Sequence, residues 1–478
     1  MLFLTPLYIL SLGVESYGLI GFYLSWVSIL AILDVSVSLT ATTEIAWRSA
    51  RLEMKKTIPI LLRSLEVAYW FIILLSGLGI LIGAWFFGAG WFEAKSLSPD
   101  QIRGVLMLMA ISLVVQVPSG LYIGGLMGLQ RQVECSVLLT IFGTVRGLGS
   151  VVVLWFVSSD LYTFFLWQIA ITFMQTGVLR WSLWRRIDTS ENSAQFSAKM
   201  LLTVKQYVGA IMVIGVLGMV LSQADKMVLS RMVSLESLGF YMLAWTVVSG
   251  FSRIATPIIN AFSPQFTELV ALGDEDGLAD KLRFASQLMS VLIIPPTALI
   301  FLFSKPVLLI WIGDENTAKG TALILTIMVL GGMFSSCAYP SLSILYSRKQ
   351  LMPVVILHLI CVIGLAPLLF LSVYYFDTIG AACVWAIYGL FYYLGCQIIG
   401  LRGLPNTTVL SSVLENFIIP FLVAFSVAAI SAYWLSEIKS NLLFVLLFLT
   451  SLSIGWFAAF LSCKDLREIV LKKWIWST

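Results

Sequence analysis

Long apolar runs, separated by short polar stretches, repeat along the whole chain. A bilayer-crossing helix needs roughly 20 mostly apolar residues. Thirteen runs meet that length: about Tyr17–Ala46, Thr57–Phe92, Gln101–Leu129, Glu134–Val157, Leu161–Trp184, Leu201–Ser230, Gly239–Phe262, Ser286–Phe303, Thr321–Leu345, Pro353–Tyr375, Ile379–Gly400, Phe417–Leu435 and Leu442–Leu461. Before them, Met1–Leu12 is apolar but too short to cross, and it lacks the basic flank of a signal peptide. It reads as a short first helix or, the favoured reading, as a truncated one, the end of a longer helix. The pattern predicts an all-α, polytopic membrane protein with about 13 full transmembrane helices plus that first fragment. No loop is long enough to fold as a domain; the largest are Arg185–Lys205 and Ala271–Ala285. Recognition is therefore placed among the membrane helices or at their mouths.

Composition narrows the class. Of the 478 residues, 59% are hydrophobic and 11% charged, against roughly 25% charged in soluble domains. Mean hydropathy is +0.97. A soluble core cannot hide that much apolar surface, which excludes a soluble enzyme, a nucleic-acid binder and a secreted disulfide scaffold. None of the six cysteines forms a Cys-x-x-Cys pair, and all but Cys463 sit inside apolar runs, as small hydrophobes do. The one histidine, His358, cannot assemble a zinc site or a Ser-His-Asp triad. No Gly-rich phosphate loop follows a strand. The expectation is a protein without metal, cofactor or covalent chemistry.

Charge sets the orientation. With the fragment numbered as helix 1, loops alternate sides. Loops after even-numbered helices, with the C-terminal tail, hold 20 of the 29 Lys and Arg; loops after odd-numbered helices hold 7. The positive-inside rule then puts the even loops and the C-terminus in the cytoplasm. The two left over, Arg146 and Arg253, fall in the middle of helices 5 and 8.

The chain also repeats itself. Glu15-Ser16-x-Gly18 matches Glu236-Ser237-x-Gly239 at an offset of 221 residues. Tyr23–Trp26 resembles Met242–Trp245 at 219, and Trp167 and Trp385 lie 218 apart. A tandem repeat of six helices enters the membrane in the same sense twice, so its halves are related by an axis along the membrane normal. The expected organisation is two six-helix lobes, 1–190 and 191–403, followed by two extra helices in 404–478.

The same segments carry a family resemblance. LGVESYGL with ILAILDVSVSL behind it is similar to the opening of the Wzx-type polysaccharide (O-antigen) flippases of the MOP superfamily. Further matches follow in order: GLMGLQRQ at Gly125–Gln132, QADKMVLSRMVSLESLGFYMLAW at Gln223–Trp245, IIPPTALIFLFSKPVLLIWIG at Ile293–Gly313 and IGAACVWAI at Ile379–Ile387. The resemblance implies an alternating-access, MATE-like fold in the bacterial inner membrane, its cavity lined by helices 1, 2, 7 and 8. It implies transport of undecaprenyl-diphosphate-linked oligosaccharide from inner to outer leaflet. The implied partners are that lipid-linked substrate, the bilayer, a polysaccharide polymerase and a chain-length regulator, with no nucleic acid. Two rivals are a MATE-type small-molecule antiporter, which needs an acidic cavity, and an O-antigen polymerase or ligase, which carries a large external loop.

Charge at membrane depth costs roughly 2.5–3.5 kcal/mol, so it marks a cavity or a partner. Arg146, Arg253 and Asp34 are the candidate substrate-binding residues. A guanidinium matches phosphate oxygens bidentately; the alternative is that carboxylates pair with the arginines. An offset of 219 makes Asp34 equivalent to Arg253 and suggests a gate between them, whereas 221 sets Asp34 opposite Ala255. Arg146 is the rival partner of Asp34. Glu44, Glu66 and Glu134 have Arg48, Arg63 and Arg131 within about a turn and read as interfacial ion pairs, with Glu44 and Arg48 as gating candidates. Asp225 and Lys226 join those candidates; adjacent residues do not face each other on a helix, so each is assigned a separate partner. Arg180, Lys205 and Lys226 read as snorkelling residues. Pro118, Pro257, Pro264, Pro295, Pro296, Pro340 and Pro367 fall in or near helices and are expected to kink them.

Overall fold

In a computed structural model the apolar runs are helices. The structure describes the chain apart from residues 1–3, 50–51, 93, 96, 188–194, 202–215, 217–219, 221, 349, 406, 436–439 and 469–478, and apart from the side chains of several helical residues, Asp34 among them. The predicted span Leu201–Ser230 and Lys205 thus lie largely outside the described residues. Among the described residues nine helices are long and apolar enough to cross a membrane.

The chain divides into two compact units, Phe3–Gly239 and Phe240–Thr478. The first contains α1 (Thr5–Leu12), α2 (Val14–Ser49), α3 (Leu52–Lys55), α4 (Ile58–Trp91), α5 (Pro99–Gln116), α6 (Ser119–Gly128), α7 (Gln132–Phe156) and α8 (Leu161–Trp184). A further helix, α9, covers 222–232. Next comes α10 (Leu235–Leu272), which begins in the first unit and runs into the second. The second unit continues with α11 (Glu275–Ile312), α12 (Glu315–Cys337), α13 (Tyr339–Ser347), α14 (Leu351–Gly400), α15 (Val409–Val413), α16 (Ile419–Leu435) and α17 (Asn441–Ser462).

Local chemistry sets the breaks. Gly13, at φ 81° and ψ 163°, separates α1 from α2 in a backbone region open essentially to glycine. Pro118 stands between α5 and α6, and Pro340 at the start of α13. The remaining prolines of α10, α11 and α14 lie inside their helices; in α11 the backbone departs from helical angles at Phe303. Asp377 (φ 49°, ψ −135°) breaks the 50-residue α14 into two arms, which match the predicted spans Pro353–Tyr375 and Ile379–Gly400.

Each unit is held by its own apolar contacts. In the first, Leu61, Leu62 and Leu65 of α4 meet Leu121 and Leu126 of α6 and Leu179 and Leu183 of α8. In the second, Phe262 and Phe266 of α10 pack with Leu278 and Leu282 of α11. Outward faces stay apolar: Phe71, Leu75, Phe173, Phe370 and Phe391 are all exposed. In water these positions would be a liability; in a bilayer they are the solvated surface.

Candidate functional site

The first unit has a polar interior at mid-helix depth. Gln168, Thr172 and Gln175 recur at helical spacing on one buried face of α8. Arg146 of α7 is half-buried and donates from Nη2 to Gln175 Oε1, while its Nε–H is buried without a partner. Its backbone carbonyl accepts from Trp167 Nε1 at 3.3 Å. Tyr23 of α2 lies within electrostatic reach of the guanidinium, and its hydroxyl bonds Ser112 Oγ at 2.8 Å and Gln116 Oε1 at 3.2 Å. Thr172 Oγ1 is buried and unpartnered. Among the described residues no carboxylate pairs with Arg146. Among the described residues the cation is held by a neutral amide, that of Gln175.

Arg253 belongs to the second unit and is exposed, without an ion pair among the described residues. Its face of α10 continues through Thr256, Asn260, Pro264 and Thr267, all exposed, at the i, i+3, i+7 spacing of one helix side. The opposite side buries Ala255, Phe262 and Phe266. A polar, cationic stripe along a transmembrane helix suits water or substrate rather than lipid tails.

The two starts of the repeat meet. A Cβ on Gly18 would lie 2.6 Å from the carbonyl oxygen of Leu235, and one on Gly239 would lie 2.3 Å from that of Val14. Both glycines admit backbone against backbone, and the contact is reciprocal. Above it, the backbone N–H of Lys95 donates to Glu15 Oε1 at 2.6 Å and its ammonium donates to Glu236 Oε2 at 2.8 Å. One lysine thereby joins the two equivalent carboxylates. The bond to Glu236 and the charge of Glu236 hold the Lys95 ammonium above its ordinary value.

At the helix starts that reciprocity has an offset of 221. Val14 and Leu235, like Gly18 and Gly239, stand 221 positions apart. The same offset recurs deeper. Thr42 donates to the Gly124 carbonyl at 3.0 Å and Ser263 bonds Ser343 at 2.5 Å; Ser263 stands 221 positions after Thr42, and Ser343 219 after Gly124. The ends of α5 and α12, Gln116 and Cys337, are again 221 apart. In this register Asp34 corresponds to Ala255, and Arg253 to Ile32. The pairing of Asp34 with Arg253, and the gate it suggests, belong to the other offset, 219. The Asp34 side chain itself lies outside the described residues.

The other charges find partners. Arg48 bonds Glu44 at 3.1 Å and Thr57 at 2.8 Å. Glu134 accepts from Ser182 at 2.6 Å and pairs with Arg186 at 3.1 Å rather than with its neighbour Arg131. Two expectations change. Arg180 was assigned to snorkelling, yet its Nε donates to the buried Glu66 at 2.6 Å, across 114 residues of sequence. Lys226 reads as a snorkelling residue too. It is instead fully buried, and its ammonium curls back to Asp225 at 3.0 Å and to the Ser222 carbonyl at 2.8 Å. A flexible four-carbon stem reaches its sequence neighbour where two backbone-fixed positions could not. The sequence reading did not single out Gln168, Thr172, Gln175, Tyr23 or Lys95. A polar residue every three to four positions inside the run Leu161–Trp184 was the available signal for the first three; Lys95 carried none.

Comparison with known proteins adds to this geometry. The polysaccharide biosynthesis protein family matches residues 12–318. Among solved structures, the chain is similar to the lipid II flippase MurJ in an inward closed conformation, with a TM-score of 0.69 at 15% identity over 95% of each chain. It is also similar to an inward-facing multidrug resistance MATE family transporter of the MOP superfamily, at 0.66 and 12% identity, over 87% of this chain and 93% of that one. A Vibrio cholerae MATE transporter follows at 0.54 and 11%, over 85% and 98%. At such identities the likeness shows a shared fold. No curated protein matches by sequence.

Proposed function

This chain is a multi-pass membrane protein of the polysaccharide biosynthesis protein family, and from that premise we propose that it flips a lipid-linked oligosaccharide across the bacterial inner membrane. The substrate in this reading is an undecaprenyl-diphosphate-linked repeat unit of O-antigen, capsule or exopolysaccharide. Two six-helix lobes expose the binding region alternately to either leaflet, with no covalent step. The observation that carries the proposal is Arg146: a half-buried guanidinium that, among the described residues, has a neutral partner and an unsatisfied Nε–H. Such a cation is prepared for a diphosphate and disfavours a cationic drug. Arg253 and its exposed polar stripe offer a second positive group.

The test is surface glycan export in the native host with the chromosomal copy replaced. Arg146→Ala and Arg253→Ala should each lower export at least tenfold at normal protein level, and Arg146→Lys should restore part of it, because lysine supplies the charge without the fork. Unchanged export in the double alanine variant defeats the proposal.

A further inference from the structure

Glu66 sits on α4 near its start and is buried, with a side chain only 3% exposed. It accepts from Arg63 Nη1 at 2.8 Å, Arg180 Nε at 2.6 Å and the Tyr122 hydroxyl at 2.8 Å. Neither arginine is buried with it: their side chains are 42% and 50% exposed. Each fork has five N–H donors and uses one on Glu66; Arg180 also hydrogen-bonds the Tyr122 hydroxyl, and both forks keep further donors. Two guanidiniums therefore converge on one carboxylate and present their remaining donors outward with a net charge of +1.

The surroundings say what faces them. On α4 the face of Arg63 continues through Val67, Phe71, Leu74 and Leu78, all exposed and apolar. On α8 the face of Arg180 continues through Phe173 and Leu166, also exposed. Both stripes are lipid-facing surface, and each ends at an arginine. Arg63 is five residues inside α4 and Arg180 four from the end of α8. Both thus lie within about 8 Å of a helix terminus, the depth where headgroups meet acyl chains. The Ser197 N–H donates to Ser64 Oγ at 2.9 Å, which anchors the segment carrying exposed Lys199 beside the same turn of α4.

We infer that Arg63 and Arg180, oriented by Glu66, form a lateral binding site for the phosphate of an anionic membrane phospholipid, whose acyl chains lie along the apolar stripes of α4 and α8. The buried carboxylate aims the two forks; the lipid phosphate takes the donors that Glu66 leaves. This site is separate from Arg146 and does not depend on what the protein transports.

Native mass spectrometry of the purified full chain, titrated with phosphatidylglycerol or phosphatidylcholine, tests it. The parent should retain phosphatidylglycerol with an affinity at least about tenfold above phosphatidylcholine, and R63Q/R180Q should lose that preference. Soluble glycerol phosphate should not displace the lipid at equal concentration, since it lacks the chains. Equal retention of both lipids by the parent, parental selectivity in the double variant, or displacement by glycerol phosphate each overturns the assignment. Should the double variant fail to fold, E66Q decides: with both guanidiniums present and the competing carboxylate gone, phosphatidylglycerol should bind at least as tightly as to the parent. A tenfold loss in E66Q rules the site out.

Discussion

Replacing Gly239 by alanine places a methyl 2.3 Å from the Val14 carbonyl oxygen. An unstrained carbon–oxygen contact is about 3.3 Å or more, so α2 and α10 must part by about 1 Å at their starts. The obstacle is backbone, and no flexible side chain can yield. Overpacking of that kind costs about 1–3 kcal/mol, and the upper end applies here. Alanine returns up to about 1 kcal/mol as the better helix former. The net is about 2 kcal/mol against the closed crossing, or roughly a 30-fold shift toward the open form. Hydrogen exchange followed by mass spectrometry reads this directly. In G239A, peptides covering 12–18 and 235–241 should both exchange roughly 30-fold faster. G18A should do the same, because the contact is reciprocal. Gly79 on α4 has open space where a Cβ would go, so G79A is the matched control and should leave both segments unchanged. If G239A accelerates only its own segment, or behaves like G79A, the crossing is not a shared backbone contact and the reasoning is refuted.

Other outcomes follow from the same geometry. Q175L strips Arg146 of its amide acceptor and should cost about 1.5–3 kcal/mol of stability; a double variant Arg146→Met, Q175L should recover much of it in a thermal unfolding assay, and no recovery would show that the buried charge is not the source of the cost. The elevated Lys95 ammonium implies that its bond to Glu236 is intact below the ordinary lysine value of 10.5 and is lost as pH rises through the raised value; acylation of Lys95 followed by mass spectrometry should therefore begin at lower pH in E236Q than in the parent, and coincident profiles would contradict this. Positive-inside bookkeeping places the C-terminus in the cytoplasm: alkaline phosphatase fused after Thr478 should be inactive and a fluorescent protein bright, and strong phosphatase activity would reverse the map.

Class and most of the helix plan were legible along the chain, because partition of an apolar run into lipid is a local property. Leu161–Trp184 is the same segment as predicted span and as α8, and the two arms of α14 meet at Asp377 between the spans predicted on either side. The repeat was visible as Glu15-Ser16-x-Gly18 and Glu236-Ser237-x-Gly239, since a close backbone crossing leaves few residue types other than glycine. Tertiary structure alone decided what those residues touch. Similarity of side chains could not choose between 219 and 221; the reciprocal contact of two backbones shows 221 at the helix starts. Arg180 finds Glu66 across 114 positions, Lys95 joins carboxylates 221 positions apart, and Arg146 donates to Gln175. Partner choice for a charge depends on which helices lie side by side, and the hydropathy that places each helix in the membrane is silent about its neighbours.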